Sequence, residues 1–320
     1  MTLLVGCGSY ANANVGQVSF EAGYRRDTID WKTRFPKDDP ILKSTTKFKD
    51  LDIFQIGVHG RSTLGCNFYV RGDAYWGWIL DGDFRHSGEL SLDPNRGGRF
   101  DPTDFRVGVS DEFRSTLDEQ YVFGVGAAIG YPFFFCDCTL VLAPVIGYSV
   151  DEQNVQVDNR SLNFAGFDGE YCDVGAGFGG CCKNTFISRW YGPFVGVDFD
   201  WRPYSSCFNL WAELEYHWGN FRGKTSRLES DYTIFSFDRR NRHSDNASAW
   251  VFTAGFDYDL CNSWTVGVSV KFQDWSADRK HKTCIRGSEI EYFGEFCDHK
   301  YKENNDWRSY AVNLTLGRDF

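Results

Sequence analysis

The chain has 320 residues, of which 18% are aromatic, and its formal net charge at pH 7 is −10. This length allows one large all-β domain or two smaller domains, and the negative charge argues against a nucleic-acid partner. The mean hydropathy is −0.42, and no apolar run approaches the ~18 residues that a transmembrane helix requires. The abundance of Gly, Phe, Trp and Tyr favours strands over helices.

The N-terminal residues 1–13 read MTLLVGCGSYANA and end in Ala11-x-Ala13, which is typical of the tail of a signal peptide. The stretch lacks a basic n-region and is short for a complete signal. We therefore interpret residues 1–13 as the remnant of a signal peptide whose start lies further upstream, and residues 14–320 as one folded domain. A lipoprotein cleavage site at Cys7 is the alternative interpretation of the same stretch.

From residue 15 onward the chain alternates between apolar and polar residues with a period of two, which predicts strands with one apolar face. Many of these apolar faces begin and end in Trp, Tyr or Phe, as the aromatic girdles of membrane barrels do. Ten such segments occur in the sequence. They cover about residues 18–24, 54–58, 68–78, 121–131, 140–150, 191–201, 210–218, 250–260, 264–272 and 307–320.

The last segment shows the alternation most clearly. Tyr310, Val312, Leu314, Leu316 and Phe320 fall on one face, and the residues between them are mostly polar. A strand of ~10 residues with an apolar outward face and a polar inward face is what a transmembrane β-barrel needs, because lipid lies outside and water or polar groups lie inside.

The connections between the ten segments alternate in length. Five long polar loops are predicted at about 30–49, 81–116, 152–188, 221–246 and 277–306, and four short turns join the other segment pairs. An even strand number with this alternation is typical of outer-membrane proteins. We therefore predict an all-β fold: one closed antiparallel transmembrane β-barrel of about ten strands, with five long extracellular loops and short periplasmic turns. A soluble β-sandwich or propeller with aromatic inner faces is the alternative.

The inward face of this barrel carries many charged residues. A ten-stranded barrel is only slightly wider than one of ~8 strands, whose interior is filled by its own side chains. We expect these charges to pair with one another in a wet plug, which disfavours a wide pore and leaves a narrow one open. The predicted interior residues are Arg71, Asp73, Asp198, Asp200, Glu213, Glu215, His217, Asp257, Asp259 and Lys271.

The cysteines number eleven. None falls in the middle of a predicted strand, and no histidine lies at ligand spacing beside them, so we expect no metal or other cofactor. In an oxidising compartment they should form disulfides, and both bridges between molecules and bridges within a loop remain open. The candidates are Cys66, Cys136, Cys138, Cys172, Cys181, Cys182, Cys207, Cys261, Cys284 and Cys297.

Two features carry a resemblance to known outer-membrane proteins. The final Phe320 resembles the terminal Phe of Gram-negative outer-membrane proteins, which implies recognition by the barrel-assembly machinery. Cysteines at the turns of an acidic, aromatic barrel resemble the disulfide-linked envelope proteins of the chlamydiae, and the chain is more similar to the families of environmental chlamydiae than to the major porin of human pathogens. This resemblance implies cysteine-linked envelope proteins as partners.

The strand and loop plan also resembles the omptins, which are surface proteases of Gram-negative bacteria. Omptins place an aspartate pair after the third strand and an Asp-x-His pair after the seventh. Here Asp81 and Asp83 match the first pair, but the loop GNFRGKTSRLESDY contains no Asp-x-His. Neither His217 nor His243 has the expected acidic neighbour, an Asp two residues before it. Because only one of the two omptin pairs is matched, the sequence is weak evidence for a protease, and we do not favour an enzymatic function.

Basic residues concentrate in the fourth long loop, where they could contact the phosphates of lipopolysaccharide. These considerations predict an outer-membrane protein with a porin-like or structural envelope role. A surface adhesin and an omptin-like protease are the alternatives, and outer-membrane lipid is an expected partner. The basic residues are Arg222, Lys224, Arg227, Arg239, Arg240 and Arg242.

Overall fold

The computed structural model describes residues 15–35, 42–64, 68–90, 105–113, 120–136, 139–158, 163–165, 171–173, 183–203, 206–225, 245–285 and 296–320. Within these ranges the chain forms fourteen strands and one 3-10 turn, Cys261–Ser263. The strands are β1 (Val15–Phe35), β2 (Leu42–Leu64), β3 (Phe68–Leu90), β4 (Phe105–Phe113), β5 (Tyr121–Gly130), β6 (Phe133–Phe135), β7 (Leu140–Asp158), β8 (Asn163–Ala165), β9 (Tyr171–Asp173), β10 (Lys183–Trp201), β11 (Phe208–Thr225), β12 (Asp245–Asp259), β13 (Trp264–Ile285) and β14 (Phe296–Asp319).

Ten of these strands close into a barrel in which every neighbouring pair is antiparallel. The order around the barrel is β1, β2, β3, β5, β7, β10, β11, β12, β13 and β14. The seam lies between β1 and β14, which pair from Gln17↔Asp319 to Arg34↔Lys302. β4 pairs with the far half of β3, β6 pairs with the start of β7, and β8 and β9 form a separate hairpin. The predicted ten-stranded closed barrel is confirmed.

The outer wall of the barrel carries a broad apolar band. Phe20 and Leu314 are 64% and 69% exposed. Aromatic rings stack across neighbouring strands of the wall, as Trp76 and Tyr121 do with their ring centroids 4.7 Å apart. An apolar outer wall around a polar interior is the surface of a barrel that lies in lipid. Within the described ranges, no helix is long and apolar enough to cross a membrane.

The strands extend well beyond the apolar band at the end where the long connections lie, which we call the loop end. The stretches 30–49 and 81–90 were predicted as loop, yet β1 runs to residue 35, β2 begins at residue 42 and β3 runs to residue 90. The predicted loop boundaries are therefore wrong. Charged residues here lie on the solvated outer face of strands, while residues such as Phe48 and Phe84 point inward and are buried.

A bulge changes the alternation where β2 and β3 leave the apolar band. The pairing register of these strands shifts between Lys49 and Ile53, and Asp50 has a φ of 50°. Before the bulge the inward residue of β3 is Ile79, and beyond it the buried residues are Gly82 and Phe84. An extra residue in one strand turns the following side chains to the opposite face. The bulge thus keeps apolar side chains inside the barrel at its loop end.

Candidate functional site: the barrel lumen

The centre of the lumen is organised by Arg71 on β3. Its side chain is 2% exposed, and it forms ion pairs with Asp198 on β10 and with Glu213 and Glu215 on β11. The Arg71 to Asp198 distance is 3.3 Å. A guanidinium has five N–H donors and can bind several carboxylates at once. Arg71 therefore ties one wall of the barrel to the opposite wall through its interior.

Two histidines extend this network to either side. His59 Nε2 on β2 lies 2.9 Å from Glu213 Oε1, and His217 Nε2 on β11 lies 2.7 Å from Glu215 Oε2. His217 Nδ1 in turn lies 3.2 Å from the hydroxyl of Ser149 on β7. A continuous chain of polar contacts crosses the lumen from β2 to β7 as a result.

A second ion-pair group lies nearer the other end of the barrel, which we call the turn end. Arg61 on β2 contacts Asp200 at 3.0 Å and Asp257 at 3.6 Å, and donates to Gln17 Oε1 at 2.8 Å. The indole N–H of Trp211 also donates to Asp257, at 3.0 Å. These contacts fill the lumen between Arg71 and the turn end.

Two small polar cavities lie around Lys271, which contacts Asp73 at 3.5 Å. Their volumes are about 30 and 20 Å³. Gln55 lines the larger one and donates to Asn313 at 2.8 Å. A cavity must offer ~10–15 Å³ to hold one water, so each of these two cavities has room for one or two waters. Neither is large enough for a solute of metabolite size.

An apolar layer fills the lumen at the loop end. We call it the aromatic cap and define it as Trp31, Phe48, Phe84, Phe186, Trp190, Phe221, Trp275 and Trp307. Trp190 and Phe221 have ring centroids 4.4 Å apart, and Trp275 and Trp307 stack at 6.1 Å. Trp190, Trp275 and Trp307 are fully buried.

The aromatic cap is joined to the charged layer beneath it by Asp27. The indole N–H of Trp307 donates to Asp27 Oδ2 at 3.1 Å, and the buried Arg25 side chain binds the same carboxylate at 2.7 and 2.8 Å. The two layers therefore form one continuous plug.

The structure brings together most of the residues that the sequence predicted to lie inside. Arg71, Asp198, Glu213, Glu215, His217 and Asp257 are buried, and Asp73, Asp200, Asp259 and Lys271 are partly buried. The sequence analysis omitted other lumen residues that follow the same alternation and could have been found by it. These are Gln17, Arg25, Asp27, Gln55, His59, Arg61 and Asp151. The expectation of a wet plug describes only part of the lumen, because the loop-end layer is apolar.

The omptin-like aspartates lie outside the lumen. Asp81 and Asp83 are exposed on β3, and Gly82 and Phe84 take the inward positions beside them. Asp81 accepts a bond from the backbone N–H of Gly82 at 2.8 Å, and Asp83 lies 3.8 Å from Arg85. Among the described residues, no group of three or more His, Cys, Asp or Glu side chains is placed to hold a metal ion.

Two of the candidate disulfide cysteines have described side chains. Cys136 and Cys207 are exposed at the turn end, and neither forms a disulfide. The side chains of the other eight candidates lie outside the described residues: Cys66, Cys138, Cys172, Cys181, Cys182, Cys261, Cys284 and Cys297. Most of the long-loop tips also lie outside them, with the basic residues Arg227, Arg239, Arg240 and Arg242. Phe320 is exposed at the seam, where its backbone exchanges two hydrogen bonds with Gly16 at 2.9 and 3.1 Å.

The closed barrel, its apolar outer wall and its polar lumen define an integral β-barrel protein of the outer membrane. Residues 19–320 match the sequence profile of a family described as Pom, Protochlamydia outer membrane protein. The chain belongs to this family, as the resemblance to environmental chlamydial proteins predicted. Among curated proteins, no sequence matches the chain.

One solved structure supports the barrel fold. The outer-membrane protease OmpT from Escherichia coli is similar with a TM-score of 0.61 and 12% identity, over 96% of this chain and 97% of that one. The toluene transporter TodX from Pseudomonas putida has a TM-score of 0.32 with 9% identity over 93% and 89% of the two chains. OprG from Pseudomonas aeruginosa has a TM-score of 0.30 with 10% identity over 95% and 96%. The last two scores are too low to support an inference about this chain.

Proposed function

We propose that this protein is a structural barrel of the outer membrane whose lumen is closed, rather than an open porin. The observation that carries the proposal is the two-layer plug. The Arg71 network occupies the middle of the lumen, and the aromatic cap fills it at the loop end.

Each layer blocks passage for a different reason. The aromatic cap is built of closely packed rings, and a hydrated ion entering it would exchange its water for mostly apolar surroundings. The Arg71 network is polar, but its donors and acceptors already bind one another across the lumen. Opening a path through it would separate buried charges from their partners, which costs about 3–5 kcal/mol for each broken pair.

A small cation-selective channel is the second candidate, because carboxylates outnumber basic groups in the lumen. A displaced cap would expose this acidic surface, which attracts cations and repels anions. The lumenal carboxylates are Glu21, Asp27, Asp73, Asp151, Asp198, Asp200, Glu213, Glu215 and Asp257, and the lumenal basic groups are Arg25, Arg61, Arg71 and Lys271.

Planar-bilayer conductance of the refolded barrel separates the two candidates. The closed barrel should show no step-like openings. The Trp190→Ala, Trp275→Ala variant, whose cap has lost two buried indoles, should also stay silent because the Arg71 layer is intact, and cation-selective steps in this variant would favour the second candidate. The matched control is Trp250→Ala, Trp264→Ala, which removes two exposed indoles from the outer wall. Gel-mobility shifts on heating report whether each variant is folded.

Regular openings in the unmodified protein would refute the closed lumen and establish a channel. A silent cap variant that is fully folded would show that the Arg71 layer alone suffices to close the lumen. Peptide cleavage that is lost in the Asp81→Ala, Asp83→Ala variant would instead make the protein an enzyme.

A structural role also needs attachment to other envelope components. Cys136 and Cys207 support such attachment, because both thiols are exposed at the periplasmic turn end. We expect them to form intermolecular disulfides in the oxidising envelope. Envelope preparations run without reductant should contain the protein in high-mass species that collapse on reduction. The Cys136→Ser, Cys207→Ser variant should lose these species, and their persistence in that variant would refute the assignment to these two residues.

A further inference from the structure

The outer wall of β11 changes from aromatic to basic as the strand leaves the membrane. Trp218 is 51% exposed on the outward face. The following outward residues are Asn220, Arg222 and Lys224, since Phe221 and Gly223 are buried inside. Because alternate residues of a strand share a face, these four side chains form a single ladder.

The basic end of this ladder consists of Arg222 and Lys224. Arg222 pairs in register with Arg189 on β10, so the two residues are neighbours on the outer face of the wall. Glu152 on β7 binds Arg189, and this carboxylate also accepts a hydrogen bond from Tyr121 at 3.0 Å. Neither Arg222 nor Lys224 has an ion-pair partner among the residues that the structure describes.

Several basic residues elsewhere on the loop-end outer wall are paired. Arg26 contacts Asp52 at 3.0 Å, and Arg308 contacts Asp274 at 3.3 Å. Lys302 contacts Asp278 at 3.8 Å. Arg222 and Lys224 differ from these three residues in that they have no ion-pair partner in the described part of the wall.

The height of the basic pair matches a lipid headgroup. Trp and Tyr side chains in membrane proteins lie at the level where hydrocarbon meets headgroup. Trp218 packs against Tyr216, and Tyr216 packs against Trp250. Arg222 lies four residues further along, which is about 9 Å further out for a strand tilted by ~45°. Headgroup phosphates of the outer leaflet lie in this zone.

We propose that Arg222 and Lys224, with Arg189 beside them, bind the phosphate of a glycolipid headgroup in the outer leaflet of the outer membrane. Arg presents a planar fork that matches two phosphate oxygens, and Lys adds a point charge. Asn220, directly below, offers an amide donor to the sugar or phosphate. The site lies on the outer wall, so it is independent of whether the lumen conducts.

The test compares barrels reconstituted in phosphatidylcholine vesicles containing either bisphosphorylated lipid A or the same lipid with its phosphates removed. Native mass spectrometry after extraction counts the lipid A retained per barrel. The double variant Arg222→Gln, Lys224→Gln should retain phosphorylated lipid A about 30-fold more weakly, since each basic residue at an anionic surface contributes a factor of about five.

The matched control is Arg308→Gln, which removes an exposed cation that already has an acidic partner and should leave retention unchanged. The charge-conserving variant Arg222→Lys, Lys224→Arg should recover most of the retention. Inorganic phosphate at millimolar concentration should not displace the lipid, because acyl chains against the wall add to its affinity.

Equal retention by the double variant and the unmodified protein would overturn the proposal, as would equal retention of the dephosphorylated lipid. Complete displacement by inorganic phosphate would overturn the choice of a lipid headgroup and leave a simple anion site.

Discussion

Replacement of Arg71 by Met tests the role of the buried ion-pair network directly. Methionine fills similar space but leaves Asp198, Glu213 and Glu215 facing one another in the lumen without their shared cation. Removing one partner of a buried ion pair typically destabilises a protein by about 3–5 kcal/mol, because an uncompensated charge remains. The Arg71 side chain is 2% exposed, so water cannot easily take its place.

Equilibrium unfolding in urea, in detergent micelles and followed by tryptophan fluorescence, measures this loss. The triple variant Arg71→Met, Glu213→Gln, Glu215→Gln is the matched control, because it removes the cation together with two of its three carboxylate partners. We expect the triple variant to be more stable than Arg71→Met, and the deficit of Arg71→Met to shrink as the pH is lowered and the orphaned carboxylates take up protons. If Arg71→Met unfolds at the same urea concentration as the unmodified barrel, the network does not hold the two walls together.

Other predictions concern the cap, the seam and the turn end. Trp307→Ala should destabilise the barrel by about 3–5 kcal/mol, because it empties a buried ring position. Trp307→Phe should cost only ~1 kcal/mol, because it loses only the indole hydrogen bond to Asp27. Equal losses of the two variants in urea unfolding would contradict this difference. Gly23→Ala should impair closure, since the new Cβ would lie 2.1 Å from the Val312 carbonyl oxygen, and a normal folded yield would argue against a tight seam. Gly60→Ala is its control, because the nearest atom there lies 3.6 Å away. A maleimide applied to the folded, reduced barrel should modify Cys136 and Cys207 within minutes, and protection of both would show that they are covered; peptide mapping identifies the modified sites.

The sequence predicted much of the charged site because alternation assigns a face to each residue. Arg71, Glu213 and Glu215 all occupy positions opposite to the apolar ladder, and the structure buries all three in the lumen. The aromatic cap was not predicted, because Phe48, Phe84 and Phe221 fall in stretches whose composition also suits loops. A solvated strand and a loop expose similar residues to water, so only strand pairing distinguishes them.

The sequence by itself determined the barrel and its orientation toward lipid. Lipid and the lumen impose opposite requirements on alternate residues, and this leaves a local pattern that can be read from any one strand. The tertiary structure alone decided which side chains meet inside the lumen. Arg71 meets Glu215 across a sequence separation of 144 residues, and the bulge between β2 and β3 determines which side chains enter the cap. Both depend on how the strands are registered around the closed barrel, which no single segment encodes.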